Sequence, residues 1–339
     1  MSKDLVSVIM SNYNTPEEFL RASIESVLNQ TYTEFEFIII DDCSTDNSLE
    51  IIRSYNDERI VIIENEENLG ITKSLNRGLA VAKGEYIARM DADDVCLPER
   101  FLKQVEYLKN NPQVIVCGTG VELIGDWKER HSNKTICRDI PNRELHKIYL
   151  LFGNYPNIVH PTAMFNASLL KSNNIKYDER YPVAQDYKMW VTCCNYGACV
   201  NLKENLLNYR VHSGAVSSAK TEKQYACAVA NMREQLEAIG IELTTEDENI
   251  HYNFLLKRQP YDVEYKEWLK KIIYQNKIYK IYNQKLLEKV LWEKWAETSY
   301  FALAKERNPA KIIKILLNLP LKYWRHLFEI RKNRHEKEW

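Results

Sequence analysis

The sequence has no C-x-x-C unit, no stretch of about 20 apolar residues and neither common glycine-rich phosphate loop. Each absence excludes a class. Eight cysteines spread over 339 residues cannot staple a small disulfide fold, and they read as reduced thiols in a cytoplasmic chain. Residues 1–10 carry Asp4 and a short apolar run, which fits neither a cleavable signal nor a membrane span. Glycine and proline are scarce, ten of each, so collagen-like and low-complexity chains are excluded. Net charge is nearly absent too. Forty-six basic against 47 acidic side chains give −1, and no global positive field exists to draw in nucleic acid.

What is present is a folded chain, 45% hydrophobic and 27% charged, long enough for about two domains of ordinary size. Its charge is uneven. Ten Lys/Arg and four Asp/Glu between residues 305 and 339 give a tail of +6. Residues 311–328 interleave Lys/Arg with apolar residues, Trp324 and Phe328 included. They read equally as an interfacial membrane helix or as an ordinary docked helix with wet lysines, broken in either case at Pro320.

The first 120 residues alternate apolar runs with helix-like stretches, the pattern of an α/β domain with a mostly parallel sheet. Strands are predicted at 5–10, 35–40, 60–63, 85–90 and 114–123, and helices at 49–55, 71–82 and from Pro98 to 109. Thr15-Pro16-Glu17-Glu18 reads as a capping box opening a helix lined by Leu20, Ile24, Val27 and Leu28. Residues 126–143 read as a loop, 199–202 and 206–211 as two short strands, and everything from about 221 as helical. The predicted division is a catalytic domain over 1–218, with a nucleotide half at 1–124 and an acceptor half at 125–218, then a helical region over 219–339.

Ligands of open α/β sheets bind beyond the carboxyl ends of the strands. Asp41-Asp42 and Asp91-Ala92-Asp93-Asp94 close two of the predicted strands, so both groups should face one crevice. Helix capping is an even alternative for Asp42 or Asp46 alone. It is too little for the acidic cluster after the fourth strand, because carboxylates this close resist ionisation unless a cation compensates them. Mg²⁺ or Mn²⁺ is the natural counterion, and it pairs one or two carboxylates with phosphate oxygens. A nucleotide carried this way suggests a diphosphate leaving group.

Ser7-Val8-Ile9-Met10-Ser11-Asn12-Tyr13-Asn14, Ile40-Asp41-Asp42-Cys43-Ser44, Asn68-Leu69-Gly70 and Ala88-Arg89-Met90-Asp91-Ala92-Asp93-Asp94 resemble, in this order, family 2 glycosyltransferases of the GT-A fold. His160-Pro161-Thr162, Gln185-Asp186-Tyr187 and Tyr209-Arg210-Val211-His212 are similar to second-half motifs of bacterial surface-polysaccharide members. The resemblance spans residues 4–218. It implies a Rossmann-like sheet flanked by helices and an inverting, metal-dependent transfer of a sugar from a UDP-sugar to a glycan acceptor, polyprenyl-diphosphate-linked in the polysaccharide pathways. A location at the inner face of the cell membrane would follow.

By that resemblance Ser11, Tyr13, Asp42, Asn68, Asn76, Asp91 and Asp93 bind the nucleotide-sugar, with Asp42 on the uracil. Asp93 and Asp94 hold the metal, with His212 as a further ligand or a structural residue. Asp186 is the catalytic base, and His160 and Gln185 belong to the acceptor pocket. Gln185 and Lys188 depart from the acidic residues usual beside the base. Arg89 has two readings, a partner for phosphate or for Asp91. The chain could instead be a non-catalytic nucleotide-sugar-binding partner in a glycan assembly complex, or a sugar-phosphate nucleotidyltransferase, although the basic loop of the latter is missing after the first strand.

Overall fold

The computed structural model describes residues 2–125, 135–137, 139–153, 157–212, 222–257 and 263–305. The basic segment 311–328 lies outside them. The chain divides into two compact units, one formed by Met1–Arg143 and Pro156–Cys227, the other by Glu144–Tyr155 and the chain from Ala228 onward.

Among the described residues, the first unit is built on a nine-stranded sheet. Strands β1 (Ser2–Asn12), β2 (Phe35–Asp41), β3 (Ile60–Glu64) and β4 (Gly84–Asp91) run parallel in the order β3-β2-β1-β4. Beyond β4 lie β8 (Met164–Asn166), β6 (Val114–Gly125), β9 (Ala198–Val211) and β5 (Val95–Cys96), with β7 (Thr135–Ile136) paired to β6. β8 is antiparallel to both neighbours, while β6 and β9 are parallel to each other. The sheet is therefore mixed but mostly parallel. β2 is buried along nearly its whole length, as an apolar run covered on both faces must be.

One face packs Val6, Val8 and Met10 against Leu20, Ile24 and Val27 of α1 (Glu17–Leu28) and Phe101, Val105 and Leu108 of α4 (Arg100–Asn110). On the other, α3 (Ile71–Val81) approaches so closely that a Cβ at Gly78 would sit 2.6 Å from Ile9 Cγ2. The helix α2 (Ser48–Arg53) follows β2, and the short α6 (Ala167–Ser172) follows β8.

Local details differ from the sequence reading. No side chain caps α1, because Pro16, which has no side-chain acceptor, occupies the N-cap position; Glu17 pairs with Arg21 one turn on. The predicted loop 126–143 contains β7. The two short strands at 199–211 are one strand; exposed Lys203 and Glu204 interrupt the apolar run, but bulges opposite Gly118 and Gly120 carry the ladder past them. α4 begins at Arg100, two residues beyond Pro98.

The second unit is helical: α5 (Arg143–Leu150) from Glu144, α8 (Glu222–Glu237) from Ala228, α9 (Thr245–Lys257), α10 (Val263–Tyr279) and α11 (Gln284–Lys305). Ile148, Leu151 and Phe152 share its core with Leu236, Trp268, Leu291 and Trp295. At its centre buried His251 bridges two elements, with Nε2 3.0 Å from Leu151 O and Nδ1 3.0 Å from Trp268 Nε1. The indole can only donate, so Nδ1 accepts and Nε2 carries the proton. No helix of the described residues is long and apolar enough to cross a membrane.

Candidate active site

Parallel register brings the strand ends together. Ser11 of β1 pairs with Ile40 of β2 on one side and Asp91 of β4 on the other. The loops that continue these strands line a cleft of about 390 Å³ with Ser11, Tyr13, Asp42, Asn68, Asp91, Asp93 and His212. Pro182 and Val183, just before α7 (Gln185–Cys193), complete its wall. The crevice lies where the strand-end rule puts it.

The two acidic pairs have different surroundings. Asp41 accepts from Asn12 Nδ2 at 3.0 Å and from Ser44 Oγ at 2.6 Å, which laces the loops after β1 and β2 together. Asp42, buried, accepts from Asn65 Nδ2 and from the amides of Leu69 and Gly70, the latter two at 2.8 Å. It thereby fixes the turn leading into α3, where Gly70 takes φ +80°. Asn68 lies within this turn, exposed on the cleft.

After β4, oxygens of Asp91, Asp93 and Asp94 all lie within 4.8 Å of one another. Ser23 Oγ of α1 holds the Asp91 carbonyl at 2.9 Å. Asp91 is ion-paired to Arg89, whose buried Nε and Nη1 have no partner among the described residues. Asp94 is 1% exposed; its Oδ1 accepts the Arg210 amide at 2.8 Å and its Oδ2 has no partner among them either. Burial and the neighbouring Asp91 and Asp93 push the Asp94 carboxyl well up from its ordinary value. Burial raises Asp91 too, with Arg89 opposing. Such a cluster suits a divalent cation, which would satisfy the orphaned Asp94 oxygen and relieve the repulsion. His212 Nε2 lies 3.0 Å from Asp93 Oδ2.

Five of the sequence-derived residues lie outside the cleft lining: Asp94, buried next to Asp93, and Asn76, His160, Gln185 and Asp186. Asn76 straps α3 to the segment before α7, with Nδ2 2.9 Å from Tyr177 O and Oδ1 3.0 Å from Tyr177 N. His160 is buried, with Nε2 2.8 Å from Tyr177 Oη and its ring edge-on to Trp190; burial holds its pKa well below the usual imidazole value. Gln185 is buried in the first turn of α7. Asp186 follows it, its Oδ1 accepting from Tyr187 N at 2.8 Å. Burial raises the Asp186 carboxyl, Arg89 lowers it and Asp91 raises it, so all three share one field. Ala184, at the helix N-cap, is held at φ +54°, a strained setting for a residue with a Cβ.

The sequence model described as Glycosyl transferase family 2 matches residues 7–173. An uncharacterized glycosyltransferase of Methanocaldococcus jannaschii is 38% identical over 234 residues, which cover 67% of this chain and 78% of that protein. The chain belongs to glycosyl transferase family 2. The UDP-Glc:alpha-D-GlcNAc-diphosphoundecaprenol beta-1,3-glucosyltransferase WfaP of Escherichia coli is 29% identical over 64% of this chain and 81% of that protein. Among solved structures, residues 1–349 of S. aureus TarS in complex with UDP-GlcNAc superpose with a TM-score of 0.56 at 19% identity, over 97% of this chain and 91% of that one. Of a longer TarS chain the match covers 49%. At this identity the likeness speaks for the GT-A fold.

Within this family 2 chain, sequence reasoning missed two supports of the acidic turn, Ser23 and Arg210. Arg210 donates its amide to Asp94 and its Nε to Asp93 O at 2.8 Å, with its guanidinium 4.1 Å from the Phe19 ring centroid. Tyr177 was missed as the partner of His160. The only signal for Arg210 was its place two residues before His212.

Proposed function

We propose that the chain is a metal-dependent, inverting glycosyltransferase that moves a sugar from a UDP-sugar to a glycan acceptor, one linked to a polyprenyl diphosphate. The observation that carries this reading is the meeting of Asp91, Asp93 and Asp94 in one turn beside Ser11, with Asp186 in the same field. WfaP, a UDP-Glc-dependent glucosyltransferase, and TarS, in complex with UDP-GlcNAc, support the donor class, and the diphosphoundecaprenol acceptor of WfaP supports the lipid-linked acceptor.

In this reading Ser11, Tyr13, Asp42 and Asn68 receive the nucleoside, and Asp93 and Asp94, with His212 alongside, hold Mg²⁺ or Mn²⁺ near the diphosphate. When bound, the cation stabilises negative charge on the departing UDP. Asp186 accepts the proton of the acceptor hydroxyl as its oxygen bonds to the anomeric carbon. The bond from that carbon to the phosphate oxygen breaks, its electron pair leaving with UDP through an oxocarbenium-like transition state. Arg89 holds Asp91 in place through their ion pair. His160 and Gln185 shape the acceptor side from behind.

The test is a panel of nucleotide-sugars incubated with the protein and Mn²⁺, with released nucleotide measured. Release of UDP from at least one UDP-sugar, abolished by chelation, is expected. Chelator-insensitive release, or none with any donor and acceptor, would count against the reading.

A further inference from the structure

We propose that the turn joining α10 to α11 is a docking tip for the surface of an anionic lipid bilayer. Tyr274, Ile278, Tyr279 and Ile281 are 63, 57, 50 and 39% exposed. They make up four of the nine large hydrophobic residues exposed among those described, all within eight positions. Isolated exposed hydrophobics need no explanation, but a cluster does.

The tip is rigid. Buried Asn276 donates from Nδ2 to Tyr282 O at 2.9 Å and to Gln284 Oε1 at 2.8 Å, and its Oδ1 accepts from Tyr282 N at 2.9 Å. Lys280 N closes on Asn276 O at 2.8 Å, and Lys280 itself takes the left-handed φ of +56°. Tyr282 is thereby turned inward, 6% exposed, while Ile281 and Ile278 are held outward. A strained, fully bonded turn that presents apolar side chains to water is a preorganised surface, since little ordering remains to oppose binding.

Charge selects the occupant. Lys277, Lys280 and Lys285 are exposed around the apolar residues; Lys277 lies 3.8 Å from Glu288 Oε1, and Glu288 is the one acidic residue between positions 268 and 290, against six lysines. A second copy docked through the same patch would set lysines against lysines across a two-fold axis. An anionic bilayer meets both features: tyrosine and isoleucine enter the interface, and lysine stems lie along it with ammonium groups at the lipid phosphates. The proposal is separate from segment 311–328 and does not rest on the transferase reading.

The experiment is co-sedimentation of the full-length chain with vesicles of phosphatidylglycerol and phosphatidylcholine, and with phosphatidylcholine alone. Wild-type protein should sediment with the anionic vesicles and far less with the neutral ones. Ile278→Ser with Ile281→Ser, and separately Lys277→Gln with Lys280→Asn and Lys285→Gln, should each lower partitioning about tenfold or more, while the circular-dichroism melt stays unchanged because these side chains are exposed. Wild type that ignores both vesicles, or a serine pair that sediments like wild type, would overturn the proposal. So would a dimer in light scattering that the serine pair abolishes.

Discussion

His212 Nε2 lies 3.0 Å from Asp93 Oδ2, joining the residue after β9 to an acidic turn 119 positions earlier. The contact clamps the last strand of the sheet onto the end of β4 through side chains that also line the cleft. His212→Ala should weaken Mn²⁺ affinity about tenfold whether the imidazole ligates or only orients Asp93, within the range usual for orienting groups. Titration of Mn²⁺ by calorimetry would measure it, and unchanged affinity would detach His212 from the site.

Asp186→Asn should keep UDP binding and fold while transfer falls by about 10² to 10⁴, the usual contribution of a positioned base. Because burial raises the Asp186 carboxyl from its ordinary 3.8, the base needs a higher pH to ionise. Transfer by the wild type should therefore fade as the pH is lowered, starting above the range of an exposed aspartate. A pH–rate profile with an acid limb at or below 3.8 would contradict the assignment.

Asp42→Ala should act first on structure. It leaves the part-buried amides of Leu69 and Gly70 without their acceptor, which costs at most about 2–6 kcal/mol at about 1–3 kcal/mol for each group left unpaired. Hydrogen exchange should show these two amides losing protection, with UDP affinity falling because Asn68 sits between Asp42 and α3. Unaltered protection would mean that the carboxylate does not hold the turn.

The helical unit should lose stability in mild acid. Burial lowers the His251 pKa from 6.5 to about 4, so between these values the unfolded chain binds a proton that the folded chain refuses. The stabilisation is complete above pH 6.5 and is lost as the pH falls toward 4, a change of about 3 kcal/mol. Protonated Nδ1 would also lose its bond from Trp268. Urea unfolding at pH 7 and 4.5, for wild type and His251→Gln, should give a steeper decline in the wild type.

Much of the catalytic unit was legible because its chemistry sits where strands stop. β2 and β4 each end in aspartates, and the parallel register that aligns Ser11 with Asp91 follows from apolar runs of similar length. What the sequence hid is carried by the backbone. Arg210 supports the cluster through its amide and through a bond to a carbonyl, and neither leaves a residue pattern. Asn76 has the right helical face for the cleft, yet its amide matches the backbone of Tyr177 101 residues later. The capping box failed because the N-cap position falls on Pro16, which has no side-chain acceptor, and not on Thr15. Residues 148–152 looked like part of the second half of the catalytic unit, but their apolar side chains pack with residues far along the chain, from Leu236 to Trp295.

The most direct measurement of the central claim is UDP binding by calorimetry, with Mn²⁺ and with chelator, for wild type and Asp93→Ala. Binding should require Mn²⁺ in the wild type and fall at least tenfold in Asp93→Ala, since about one charge-assisted contact is lost. Equal affinity for UDP with and without the metal, unaffected by Asp93→Ala, would contradict a cation held by the acidic turn after β4.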